Sequence, residues 1–295
     1  MRKLISVGLQ TIGRLSPRLG GRLAFALWRR PLARGRVRPD EQIVHNAAKV
    51  ELIDGVRTYA WGDGRRPVLL VHGWRSRASR YAGFITRLLE LGYSPVSYDA
   101  PAHGDSGGDV VSILGHQQLI RALEERHGPF EGVIAHSLGV PFALYAVRQG
   151  VAAQRMVMIS GVADFGYLTD TFCAELGLGP KLNRELRRSI ERGYFGGDTT
   201  IWDRFSVKTG KTELLVVHND EDDVVDPHQA QLLLRNYGPH AHFHPTTGLG
   251  HRRILSNPAV IAEAVAFLQD ADHNPLQQQA PARDSDVAEG FDLGA

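Results

Sequence analysis

Hydrophobic positions change their rhythm twice along the chain. Up to about residue 40 apolar residues alternate with basic ones as on an amphipathic helix; from residue 48 onward short apolar runs stand at helix-sized intervals; after residue 270 apolar content falls away. Residues 49–53 and 56–61, joined through Asp54-Gly55, predict a β-hairpin, because an Asp-Gly pair accepts the positive φ of a tight turn. Six further strand-length runs follow at 68–71, 94–98, 132–135, 156–160, 213–217 and 242–245. Continuous apolar strands separated by helical segments imply βαβ crossovers, hence an α/β fold with a mostly parallel sheet covered on both faces. Asn257-Pro258 sets an N-cap and an N1 proline before Ile261, Val265 and Leu268, a single apolar stripe that closes the fold.

One interval is longer than a crossover needs. Residues 161–211 stand between two predicted strands, and Leu182, Leu186 and Ile190 fall on one face of a polar helix there. We read the surplus as a small helical cap. The chain thus divides into a basic amphipathic arm (1–47), an α/β domain (48–270) carrying the cap at 161–211, and an acidic tail (271–295). The tail holds Gln277-Gln278-Gln279 and few apolar residues, which predicts disorder.

Composition narrows the class. With 43% hydrophobic and 22% charged residues the chain reads as a soluble globular protein, and no apolar run approaches the roughly 20 residues of a spanning helix. A single cysteine, Cys173, excludes an intramolecular disulfide and suits a reducing, cytoplasmic compartment. The net charge of +2 hides an asymmetry: residues 1–39 carry ten Lys or Arg and no acid, so the rest sums to −8. Leu4, Ile5, Val7, Leu15, Leu19, Leu23, Phe25, Leu27 and Trp28 lie between those charges. The arm has two readings, a helix docked on its own domain or a peripheral contact with the inner membrane surface. On either reading its deletion should spare hydrolysis of a small soluble substrate. Ser6, Gly8, Gln10 and Thr11 break the stretch 4–13, and no A-x-A-like site follows, which argues against a cleavable export signal.

Candidate chemistry begins at Ala135-His136-Ser137-Leu138-Gly139, between the run 132–135 and a helical stretch reaching Gly150. A serine hydroxyl is a poor nucleophile until it is projected from its own helix and met by a base. A sharp strand-to-helix turn achieves the projection, and the tight backbone there requires small residues two before and two after the serine. Ala135 stands where glycine is commoner. His72-Gly73-Trp74 directly follows the run 68–71, so the backbone N–H groups of Trp74 and Leu138 are the natural pair of donors for a tetrahedral oxyanion. His72, Asp99 and His103 read as structural residues of neighbouring loops.

These segments, together with His218-Asn219-Asp220-Glu221-Asp222 and Gly248-Leu249-Gly250-His251, resemble the α/β-hydrolase superfamily over residues 48–270, most closely its bacterial carboxylesterase-like and lipase-like members. The resemblance implies an eight-stranded, mostly parallel sheet with a cap after the sixth strand. It also implies the chain order nucleophile, acid, histidine: Ser137, Asp222 and His251. Asp220, Glu221 and Asp223 compete with Asp222; the register of related members, read back from Val225, selects Asp222 and leaves Asp223 as runner-up.

The expected function is hydrolysis of a carboxylic ester or thioester through an acyl-enzyme without a cofactor, with a small-molecule acyl substrate as the partner. An aminopeptidase or amidase and a non-catalytic binding protein are the alternatives. Phe165, Tyr167, Leu168, Phe172 and Trp202 are candidates for the acyl pocket, or else form the cap's own core. His240, His242 and His244 share a strand face but lack an interleaved carboxylate or cysteine, so no metal site is expected. The arm carries no nucleic-acid-binding motif, and nucleic acid is not an expected partner.

Overall fold

The computed structural model describes residues 2–269; the tail expected to be disordered, 271–295, lies outside them. Helices α1 (Arg2–Leu15), α2 (Pro17–Trp28) and α3 (Gln42–Asn46) precede the hairpin β1 (Lys49–Ile53) and β2 (Val56–Ala60). Then β3 (Pro67–Val71), α4 (Ala82–Glu90), β4 (Ser94–Tyr98), α5 (Ile113–His127), β5 (Phe130–His136), α6 (Gly139–Arg148) and β6 (Ala153–Ile159) alternate. An insertion carries α7 (Tyr167–Glu175), α8 (Pro180–Phe195) and α9 (Ile201–Arg204) before β7 (Glu213–Asn219). The described chain ends with α10 (His228–Tyr237), β8 (Ala241–Thr246), α11 (Gly250–Arg253) and α12 (Pro258–Gln269).

All eight apolar runs are strands of one sheet, ordered β1-β2-β4-β3-β5-β6-β7-β8. The pairs β1–β2 and β2–β4 are antiparallel and the others parallel. Period-two alternation splits the strands between two cores. Leu69, Val71, Met156, Met158, Leu214 and Val216 pack under α5, α6 and α10. Val68, Leu70, Val157, Ile159, Leu215 and Val217 pack under α4 and α12. The Asn257 side chain accepts from the N–H groups of Ala259 (3.0 Å) and Val260 (3.1 Å), so α12 is capped where its sequence indicates.

A third core joins the arm to the insertion. Leu9 and Ala24 are buried with Phe142, Phe165, Cys173, Leu182, Leu186, Ile190 and Phe205. Helix α2 lies directly on α8 because Gly20 and Gly21 carry no side chain there. A Cβ on Gly21 would stand 2.6 Å from the Glu185 Cβ, and one on Gly20 would stand 2.7 Å from Leu182 Cδ1. Ser6 Oγ donates to the Leu176 carbonyl (2.5 Å) and Gln10 Nε2 to that of Gly177 (3.1 Å), tying α1 to the end of α7. Farther along, Arg30 pairs with Asp109 (2.8 Å), and Arg34 donates to the carbonyls of Gly104, Ser106 and Gly108.

Candidate active site

Strand β5 delivers Ser137 at the point where the chain turns sharply into α6. Ser137 has φ of +57°, a left-handed conformation that costs a non-glycine residue on the order of 1–3 kcal/mol and is held by its surroundings. Its N–H donates to the Ile159 carbonyl (3.0 Å) and its carbonyl accepts from Val140 (3.1 Å). The small residues the turn demands are in place. Ala135 is fully buried in register with Val71 and Met158, and a Cβ on Gly139 would collide with the Val71 carbonyl.

His251 opens α11 beyond β8, and Asp222 sits on the loop after β7. His251 Nε2 lies 3.0 Å from Ser137 Oγ, and His251 Nδ1 lies 2.9 Å from Asp222 Oδ2. Of the four neighbouring acids only Asp222 turns inward; Asp220, Glu221 and Asp223 are exposed. Its other oxygen, Oδ1, accepts from the N–H groups of Val224 and Val225, each at 2.9 Å. Burial works against the charged carboxylate, but the His251 bond and those two N–H groups outweigh it and hold the carboxyl down at about 2.

Two further residues fix this constellation, and sequence reasoning passed over both. His136 Nε2 donates to the His251 carbonyl (2.9 Å), and the two rings lie 4.6 Å apart, tilted at 43°. Asn219 Oδ1 accepts from Gly250 N–H (2.8 Å) and Glu221 N–H (3.1 Å), so one buried amide ties the acid loop to the histidine loop. Their sequence signal was only proximity to the singled-out residues; the partners lie on other loops.

The turn after β3 presses against Ser137. A Cβ on Gly73 would stand 2.7 Å from Ser137 Cβ, which brings the adjoining Trp74 backbone close to the serine. His72 accepts from Ala100 N–H through Nε2 (2.9 Å), so its Nδ1–H donates to the Gly73 carbonyl (2.8 Å) and the ring is neutral. His103 packs edge-on to Trp74 at 5.3 Å. Asp99 accepts from Ala78 (2.9 Å) and Asp105 (2.8 Å) and pairs with buried Arg77 (3.1 Å). These residues hold loops, as their positions in the sequence suggest.

Burial carries a cost in acid. It first, and nearby histidines second, hold His136 and His103 down to about 3. Both therefore stay neutral in the folded protein, whereas an unfolded chain protonates histidine near 6.5. With the folded values depressed, the unfolded state binds more protons between about pH 6.5 and 3, so stability falls as the pH is lowered through that window. The loss is about 2 kcal/mol per histidine at pH 5. Urea melts at pH 7.5 and 5.0 should show it, and His136→Gln should flatten the dependence; parallel curves for wild type and variant would refute the assignment.

A cavity of about 210 Å³ opens in front of Ser137. Phe165, Tyr167, Leu168 and Phe172 line it with Trp74 and Leu138; Trp202 does not. The Trp202 ring packs behind Phe165 at 5.8 Å and its Nε1 donates to Glu191 (2.7 Å), so it is turned into the insertion's own core. Its place on the wall is taken by the unforeseen Trp28 and Arg29 of the arm, with Phe142 and Phe195. The arm therefore forms part of the cavity wall, which the expectation of its dispensability for small substrates did not include.

His240, just before β8, and His242 and His244 on it have partners that the sequence had not revealed. His240 Nδ1 and His242 Nε2 bind the two oxygens of Glu213 on β7 at 2.6 and 2.8 Å, and His244 lies 3.8 Å from Glu263. An acid from the neighbouring strand therefore interleaves with them. Among the described residues no group of three or more His, Cys, Asp or Glu has the arrangement of a metal site.

The model of the alpha/beta hydrolase family matches residues 68–208. No curated protein sequence matches the chain. Solved structures share the architecture at low identity. A proline iminopeptidase-related protein from Thermus thermophilus is 16% identical, with a TM-score of 0.57 over 75% of this chain and 98% of that one. An esterase from Rhodococcus sp. ECU1013 gives 14% and 0.56 over 76% and 99%. A monoacylglycerol lipase of Paleococcus ferrophilus gives 20% and 0.55 over 72% and 97%. At such identities the likeness concerns the fold. Sheet order and the matched segment agree, and the chain has the alpha/beta hydrolase fold, with residues 68–208 similar to that family.

Proposed function

We propose that this chain hydrolyses a carboxylic ester or thioester through an acyl-enzyme on Ser137. The observation that carries the reading is the buried hydrogen-bonded line from Ser137 Oγ through His251 to Asp222, at 3.0 and 2.9 Å. His251 Nε2 takes the hydroxyl proton as Oγ attacks the acyl carbon, and Asp222 stabilises the imidazolium that forms. The N–H groups of Trp74 and Leu138 receive the oxyanion, a contribution of about 2.7–4 kcal/mol per donor. Protonated His251 then returns the proton to the departing alcohol or thiol. Water, deprotonated by the same ring, attacks the acyl-enzyme and releases the acid.

The largely apolar wall of the cavity, Val111, Ile113, Phe142, Phe165, Leu168 and Phe172 among it, suits an uncharged acyl chain. Glu175 is the single carboxylate of that lining, and it could anchor a substrate amine as an aminopeptidase requires. Arg29 and Arg75 share the lining and oppose a cationic substrate, so the ester reading is preferred.

A fluorophosphonate should label the wild-type protein at Ser137 and leave Ser137→Ala unlabelled. In a panel of p-nitrophenyl esters, acyl thioesters and aminoacyl anilides, an acyl ester or thioester should turn over fastest. An unlabelled wild type would identify an inert binding member of the fold, and faster turnover of the anilides would favour the peptidase.

A further inference from the structure

Seven of the arm's ten cations fall into two sets. Arg30 and Arg34 turn toward the body, where they meet Asp109 and the carbonyls around Ser106, and Arg38 pairs locally with Glu41. Lys3, Arg14, Arg18 and Arg22 stand exposed on the outer side of α1 and α2. Between them lie Leu4 (79% exposed), Val7 (61%), Leu15 (84%), Leu19 (49%) and Leu23 (37%). Leu4 and Val7 stand three apart on α1 and Leu19 and Leu23 four apart on α2, with Leu15 exposed at the end of α1, and residues 1–39 contain no acid to balance the cations beside them.

A face meant only for water would carry polar residues where those leucines stand. Leucines interleaved with unbalanced cations match the boundary between acidic headgroups and acyl chains, where both kinds of side chain are satisfied. Nucleic acid would pair with the cations and leave the leucines in water. Among the described residues no helix is long and apolar enough to cross a membrane, so such a contact would lie on the surface.

We propose that the outer face of α1 and α2 is a docking surface for an anionic phospholipid bilayer, one that sets the mouth of the cavity beside the headgroups. A vestibule of about 400 Å³ is lined on the arm side by Ile5, next in sequence to Leu4, and by Leu27, Trp28, Arg30 and Leu32, the last 65% exposed. It shares Trp28, Trp74, Arg75, Phe172 and Glu175 with the inner cavity, so the space beside the arm continues to Ser137. The docking surface stands independently of the hydrolase reading, because binding is measured without turnover.

The test is co-sedimentation of the full chain with phosphatidylcholine vesicles, with and without phosphatidylglycerol, at low and high salt. Binding should require phosphatidylglycerol and weaken with salt. Arg14→Glu with Arg18→Glu and Arg22→Glu should lower the affinity on the order of 100-fold. Leu4→Ser with Val7→Ser and Leu15→Ser should lower it about tenfold or more while the salt dependence persists. Thermal melts of both variants should match wild type, which excludes misfolding as the cause. Absence of binding to the anionic vesicles, or binding indifferent to both variants, would overturn the proposal. So would a wild-type dimer that the leucine variant dissociates, or duplex DNA that displaces the vesicles and binds the leucine variant undiminished.

Discussion

Asp222→Asn is expected to lower kcat for ester hydrolysis by about four orders of magnitude while the protein stays folded. The reason lies in which atom each oxygen faces. Oδ1 accepts two backbone N–H groups, from Val224 and Val225, so an amide placed there must offer its oxygen to them. Its NH₂ is then aimed at His251 Nδ1, which must become an acceptor. The proton moves to Nε2, the nitrogen 3.0 Å from Ser137 Oγ, and the ring loses its capacity to take the serine proton. Asp220→Asn and Asp223→Asn change exposed groups and should cost less than about tenfold. Steady-state kinetics of the three folded variants on one ester would decide; a silent Asp222→Asn beside a dead Asp223→Asn would transfer the role.

What the sequence disclosed followed from local rules. The centres of β3, β5, β6 and β7 are continuous apolar runs, because a parallel sheet buried on both faces leaves no polar side to encode, while β4 buries Ser94 and Ser97 as well. The serine turn was legible because its geometry restricts residues 135 and 139 to small side chains. Trp202 shows the limit. Trp202 and Phe165 are both insertion aromatics, one facing the cavity and one packed behind, and no spacing within the insertion distinguishes them. The decision belongs to α2, far away in sequence, which occupies the remaining side of the wall. Asn219 was hidden for a similar reason, since its role exists only where the loops after β7 and β8 meet. The Gly20-Gly21 pair was the one local hint that α2 approaches another helix closely, and it passes unnoticed inside an arm read for its charge.

That contact makes the arm part of the fold, and deleting residues 1–34 is expected to cost on the order of 5 kcal/mol or more, comparable with the whole stability of a domain. The loss would uncover the side of α8 that meets α2, where Leu182 touches Gly13 and Gly20, Gly193 admits the Phe25 ring, and Tyr194 meets that ring edge-on at 5.2 Å. It would also remove Trp28 and Arg29 from the cavity wall. The truncated chain should therefore aggregate, or melt far below wild type, and lose hydrolysis of medium-chain esters. Gly21→Val separates helix contact from chain length: its added side chain meets the Glu185 backbone, which cannot rotate away, and should cost about 1–3 kcal/mol. Thermal melts and the rates of an acetyl and an octanoyl ester, measured on both proteins, test the two expectations together. A truncated chain that melts with wild type and hydrolyses both esters at full rate would show that α8 buries its apolar face without α2, and that the arm is an appendage to a complete enzyme.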